Sequence, residues 1–209
     1  MDARLLIATT NPAKLSEYRL LLAHYPLELA SLRDLGIDRE PEETGATFAE
    51  NALIKARFYF QLARGATLAD DGGLEVDALG GAPGVNSHRW LGEGADDTML
   101  AEEIVRRMAD VADGRRGARI RCALALVYER NDEAVERVTE AAIEGVIARQ
   151  VYRPVRTGFP YRAVLYLPER RCYLAQLGEE EEAKIGQRRT AVERADPYLR
   201  EIAGMPGSC

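Results

Sequence analysis

Residues 119–130 place the tightest limit on what this chain can fold into. Ile120, Cys122, Leu124 and Leu126 alternate with Ala123, Ala125 and Val127, so a strand here is apolar on both faces. Such a strand is stable only where both faces are covered, at the centre of a layered α/β sheet. Asn131-Asp132 then turns the chain into a second strand, residues 134–148, whose interspersed charges mark a more exposed position. At 209 residues the chain is long enough to bury the core such a sheet requires as one domain.

The helices are written in caps and spacing. An apolar strand over residues 4–8 runs into Asn11-Pro12, an N-cap followed by proline at the first helical position. Leu15, Tyr18 and Leu22 follow at helical spacing and face a core. Thr9, Thr10 and Asn11 thus sit where a strand becomes a helix, and unpaired N–H groups there are expected to form an anion site. Lys14 falls in the first turn, where the helix dipole disfavours a cation. A solvated lysine bears that small cost without any function, whereas a phosphate would turn it into a gain. The glycines and the Gly-Lys-Ser/Thr ending of a Walker loop are absent. Thr47 and Glu50 have capping-box spacing, which predicts a helix to about residue 63. Asn51 and Lys55 share one of its faces. Capping accounts for Glu50; Lys55 is the functional candidate, because Glu42, Glu43 and Thr44 bring acids towards the same place. Further on, a helix is expected over 96–109, with Leu100, Ile104 and Met108 on one stripe. A short strand over 163–167 is stopped by Pro168, and a charged helical region runs from 179 to about 203. Residues 113–117 read as a connecting loop with solvated arginines.

Residues 69–77 concentrate chemistry. Two adjacent carboxylates, Asp70 and Asp71, precede Gly72-Gly73, and Gly80-Gly81-Ala82-Pro83-Gly84 follows. Adjacent carboxylates repel and glycines cost backbone entropy, an order of little use to stability alone. Alone, the stretch also reads as a polar turn between two strands. A metal-and-phosphate site uses both features: hard cations take carboxylate oxygens, and glycine lets a ligand approach the backbone. If Asp70 lies in an extended strand, its side chain and that of Asp71 point to opposite faces. Asp71 is then the residue expected at a metal, with Asp70 supporting it.

Residues 9–14, 42–55 and, most closely, 69–89 together resemble the inosine triphosphate pyrophosphatase family, also described as XTP/dITP diphosphatases. The resemblance implies a single domain over residues 1–209: α/β, with a long mixed central β-sheet flanked by helices and two lobes around a nucleotide cleft. It implies a Mg2+-dependent homodimer that hydrolyses a nucleoside triphosphate, such as ITP, dITP or XTP, to the monophosphate and pyrophosphate. By position, Thr9, Thr10, Asn11 and Lys14 match the triphosphate-binding segment, Glu42 and Asp71 the metal ligands, and Asp71 also the catalytic acid/base. Gly72 stands where the family has a substrate-contacting serine. Lys14 and Lys55 would hold phosphate charge as point cations.

The C-terminal third departs from that pattern. Where the family reads Gly-Phe-Gly-Tyr-Asp-Pro, this chain has Gly158-Phe159-Pro160-Tyr161-Arg162-Ala163, and the purine-reading Ser-His-Arg becomes Gly186-Gln187-Arg188. The family's aspartate falls on Arg162 and its lysine on Glu182, a matched inversion that would keep the two paired. Phe159 is expected to stack on a base, with Tyr161 beside it. Gln187 keeps a donor and an acceptor but does not titrate. An altered base preference follows; the alternative is a weakly active or non-catalytic nucleotide-binding protein on the same fold.

Composition agrees with a small, free substrate. Thirty-four acidic residues against 28 Lys plus Arg leave no basic run of the kind that tracks a nucleic-acid polymer. Cys122, Cys172 and Cys209 lack zinc-site spacing and read as reduced thiols, and two histidines, His24 and His88, do not make a histidine metal site. No signal-peptide pattern precedes the first strand and no apolar run reaches membrane length, so a cytoplasmic location without membrane contact is expected.

Overall fold

A computed structural model describes residues 3–92, 94–178, 181 and 184–206. A seven-stranded sheet has the order β2-β1-β3-β4-β5-β6-β7. Its strands are β1 (Ala3–Ile7), β2 (Leu27–Ser31), β3 (Thr67–Val76), β4 (Gly117–Arg130), β5 (Glu133–Ile147), β6 (Leu165–Leu167) and β7 (Cys172–Tyr173). β1 is parallel to β2 and β3, with Ile7 opposite Leu68, while β6 is antiparallel to β5 and β7, which makes the sheet mixed. β4 holds the central place its two apolar faces demand, and residues 122–127 are all buried. Asn131 and Asp132 both adopt left-handed φ, 54° and 63°, the conformation a tight two-residue hairpin needs between β4 and β5.

Four helices lie among the described residues: α1 (Pro12–Leu21), α2 (Phe48–Ala63), α3 (Asp97–Arg107) and α4 (Gln187–Ile202). The Asn11 side chain caps α1, and a complete Thr47/Glu50 capping box opens α2. None of the helices is long and apolar enough to cross a membrane.

The chain gathers into two compact units. One comprises Met1–Asp71, Cys122–Ala141 and Arg188–Cys209; the other comprises Gly72–Arg121 and Ala142–Gln187. In the first, Leu5, Ile7, Tyr18, Leu22, Leu68, Leu124 and Leu199 belong to one core. In the second, Leu74, Leu100, Ile104, Met108, Ile120 and Leu165 form another, as the α3 stripe requires.

Two local expectations need correction. Residues 160–163 form a 3-10 turn, and the strand begins only at Leu165. The short strands β2 and β7 carry no alternation long enough to read. Arg116 is not solvated: it is buried and donates to the backbone carbonyls of Met108, Val111, Ile147 and Ala148, four acceptors that satisfy most of its fork. Of the expected charged region, Glu179 and Glu182 lie outside the described residues, as does Cys209. Cys122 and Cys172 are free thiols.

Candidate active site

β3 carries the two acids to one place and its alternation separates them. Asp70 receives Lys14 of α1 on Oδ1 at 3.1 Å and Arg188 of α4 on Oδ2 at 3.0 Å. Asp71 Oδ1 instead receives Lys55 of α2 at 3.1 Å. Different helices therefore serve neighbouring carboxylates, as opposite faces of a strand require. Arg188 also reaches Glu17 at 3.2 Å, and Lys55 reaches Glu43 at 3.1 Å. Three cations face four carboxylates in a largely buried cluster.

Burial and charge split the protonation behaviour of the two acids. Burial alone would raise the Asp70 pKa, but Lys14 and Arg188, with Lys55 behind them, hold that carboxyl well below the usual range. For Asp71 the balance reverses: burial outweighs the pull of Lys55 and Lys14, Glu43 adds to the rise, and the pKa lies above the ordinary value. Lys55 is buried, which would lower its pKa, yet Asp71, Asp70 and Glu43 raise it and keep the ammonium charged. One acid is locked ionised while its neighbour is placed to exchange a proton, the pattern by which paired carboxylates take different roles. Behind Asp70, burial pushes the Cys122 thiol up to about 12, so it stays protonated and donates to Asp70 Oδ2 at 3.8 Å.

The segment before α2 is pinned by its own helix. Asn51 Oδ1 accepts the Gly45 N–H at 2.8 Å, and Glu50 Oε2 accepts the N–H groups of Ala46 and Thr47 at 2.6 and 3.2 Å. Gly45 has to be glycine, since a Cβ would lie 2.7 Å from Asn51 Oδ1. Glu43 is the acid this arrangement brings to Lys55; Glu42 is exposed in the same segment.

At the start of α1 the expected anion site is already filled by the chain. Asn11 Oδ1 accepts the N–H groups of Ala13 and Lys14 at 2.9 and 3.2 Å, and Thr9 Oγ1 accepts that of Asn11 at 3.2 Å. The cap has claimed the donors that spacing alone left open. Thr10 is exposed at the strand end. Lys14 is buried in its ion pair, not solvated.

Gly72 follows Asp71 as the first residue of the second unit, and Gly73 is constrained there. A Cβ on Gly73 would lie 2.0 Å from Ser87 Oγ. That hydroxyl accepts the Leu74 N–H at 3.0 Å and donates to the Gly84 carbonyl at 2.6 Å, while Tyr161 Oη donates to the Ser87 carbonyl. Phe159, expected to be open to a base, is buried, and the Arg162 guanidinium lies 3.7 Å from its ring centroid. Arg156 approaches the same ring at 5.4 Å. Gln187, at the start of α4, is buried, and the neighbouring Arg188 is committed to Asp70 and Glu17. The expected partner of Arg162, Glu182, lies outside the described residues.

Sequence reasoning missed Glu17, although it stands three residues after Lys14 on α1, a spacing that shares a face. It noted Asn51 without giving it a role. Ser87 carried no signal, because its partners lie on the glycine turn and on Tyr161, 74 residues away.

Among the described residues no three Asp, Glu, His or Cys side chains gather as a ready metal cage. A magnesium ion asks for less, since it keeps several waters and takes one or two carboxylates together with phosphates. Asp71 Oδ2 is buried without a hydrogen-bond partner. That oxygen, with the carboxylate excess around it, fits a hard dication.

The sequence profile of the Ham1 family matches residues 5–198, and the chain belongs to that family. A dITP/XTP pyrophosphatase of Geobacillus kaustophilus is 39% identical over 203 residues, 97% of each chain. Among solved structures, a HAM1 protein from Coxiella burnetii superposes with a TM-score of 0.83 at 33% identity, covering 95% of this chain and 99% of that one. A nucleoside-triphosphatase, or dITP/XTP pyrophosphatase, from Mycobacterium abscessus gives 0.73 at 38% identity, covering 93% and 99%. The family resemblance and the mixed-sheet α/β fold expected from the motifs are both borne out.

Proposed function

We propose that this chain is a nucleoside triphosphate pyrophosphohydrolase that converts deaminated purine triphosphates, of the dITP/XTP kind, to monophosphate and pyrophosphate. The observation that carries the reading is the split pair on β3: Asp70 held ionised by two cations, Asp71 with a raised pKa beside Lys55. Family membership and the activities named for its relatives support it.

In this reading Asp71 takes a proton from water as the water oxygen bonds to the α-phosphorus. The bond from that phosphorus to its bridging oxygen breaks, and pyrophosphate leaves with the electron pair. Lys55, touching Asp71, is placed to meet charge developing on the phosphates, and Lys14, held by Asp70, brings a second cation to the start of α1. Thr9, Thr10 and Asn11 line the triphosphate, whose oxygens would compete for the N–H groups now held by the cap. Gly72 offers backbone without a side chain. Mg2+, bound through Asp71 and a carboxylate of the 42–43 segment, would neutralise phosphate charge and acidify a bound water.

Base recognition is assigned to Phe159, Tyr161, Arg162, Glu182, Gln187 and Arg188, with the guanidinium on Phe159 altering which base is preferred. The whole chain acts as one catalytic domain, in a cytoplasmic homodimer. Incubation with Mg2+ and a panel of ordinary and deaminated nucleoside triphosphates, scored for monophosphate and pyrophosphate, tests this. Pyrophosphate release from dITP or XTP is expected. Orthophosphate release, or no turnover with nucleotide still bound, overturns it.

A further inference from the structure

Among the described residues, two buried side-chain polar atoms have no hydrogen-bond partner: Asn51 Nδ2 and Asp71 Oδ2. Native interiors rarely leave such atoms unpaired, and an ordered water is the usual explanation. The orientation of the Asn51 amide follows from its bonding, because Oδ1 accepts the Gly45 N–H at 2.8 Å and the free end must be the donor. Asn51 is fully buried on α2, one helical turn before Lys55 on the same face. Lys55 Nζ in turn touches Asp71 Oδ1 at 3.1 Å. One orphan is therefore a donor, four residues before Lys55 on α2, and the other an acceptor on the carboxylate that Lys55 touches.

We infer that Asn51 is a positioning residue that holds, together with Asp71 Oδ2, the water consumed in the reaction. The inference rests on the hydrolase reading above. Neither a phosphate oxygen, which has no proton for a carboxylate oxygen, nor a metal ion, which cannot accept from the Asn51 amide, serves both atoms. Water can: one O–H donates to Asp71, one lone pair accepts from Asn51, and the second lone pair stays free for phosphorus. When the oxygen–phosphorus bond forms, that O–H proton passes to Asp71 and the leaving pyrophosphate carries away the electrons of the broken bond. Through its other end Asn51 fixes Gly45, and so the segment bearing Glu43. One side chain ties the acid segment and the water to the same helix.

Two measurements test this. A high-resolution crystal structure of the wild-type protein should show an ordered water within hydrogen-bond reach of both Asn51 Nδ2 and Asp71 Oδ2. Asn51→Asp keeps an acceptor for Gly45 while removing the donor. It should lower kcat on the order of 10²-fold, with KM for the triphosphate changed less than about threefold. A wild-type structure whose ordered waters bridge neither atom overturns the assignment, as does an Asn51→Asp enzyme with wild-type kcat or a loss confined to KM. If Asn51→Asp fails to fold, the water observation decides alone. A wild type that bridges the water yet releases no pyrophosphate defeats the hydrolase reading and leaves the water site standing.

Discussion

The first unit keeps its chemistry in charged side chains locked in pairs, whereas the second keeps its shape in a backbone turn closed by neutral hydrogen bonds. Lys14, Lys55 and Arg188 divide Asp70, Asp71, Glu17 and Glu43 among them. On the other side, Gly73, Ser87 and Tyr161 lock the glycine segment, and Arg162 lies on Phe159. Buried ion pairs are poor sources of stability, because desolvation offsets much of their attraction. Retaining four buried or half-buried acids is therefore better explained by what they do. The turn is held by close packing, and Arg162, on the Phe159 ring that Arg156 also approaches, sits where base preference is expected to change.

Asp71→Asn should show the largest effect. Turnover is expected to fall by about 10²–10⁴-fold. The melting temperature should hold or rise, since the ionised acid is disfavoured by burial and Lys55 retains Glu43. Near-normal turnover would end the assignment of the first unit as the reacting half.

Asp70→Ala, one residue away, should act through stability instead. It strands Lys14 and removes one of the acids that Arg188 meets, a loss of about 3–5 kcal/mol, or roughly 6–20 °C in Tm at this chain length. The pH dependence has a definite sign. Asp70 has a lowered pKa in the folded state, so its contribution is present above the unfolded value of about 3.9 and drains away as pH falls below it. Asp70→Asn should flatten that acid limb in a denaturation series; an unchanged slope would mean the cations do not hold the carboxylate.

Gly73→Ala probes the packed half. A new Cβ 2.0 Å from Ser87 Oγ forces the hydroxyl out, a cost of about 1–3 kcal/mol. Chemical denaturation should register that loss, while kcat of the folded fraction stays within about twofold of wild type. The smallest effect is reserved for base choice. Arg162→Asp combined with Glu182→Lys should move the ratio of kcat/KM for ITP over GTP by roughly tenfold towards ITP. A ratio that does not move would separate Arg162 from base reading.

Much of the scaffold was legible because it is local. Asn11-Pro12, Thr47 with Glu50, and the alternation over 119–130 each need only a few neighbouring residues to act, and each formed as the spacing required. The opposed placement of Asp70 and Asp71 followed from strand geometry alone. At 9–11 spacing did not reveal that Asn11 and Thr9 take N–H groups that the helix start exposes. The burial of Phe159 was not legible for a different reason: exposure is not a property of spacing, and Arg162 lies on the ring from three residues away.

Residue order by itself determined the α/β class, the starts of α1 and α2, the central strand and the family to which the chain belongs. Tertiary structure alone decided which cation meets which acid. Lys14 and Asp70 are 56 residues apart, and Arg188 and Asp70 are 118 apart. Pairings at that distance depend on how strands and helices pack, and the resulting burial sets both the lowered pKa of Asp70 and the raised one of Asp71.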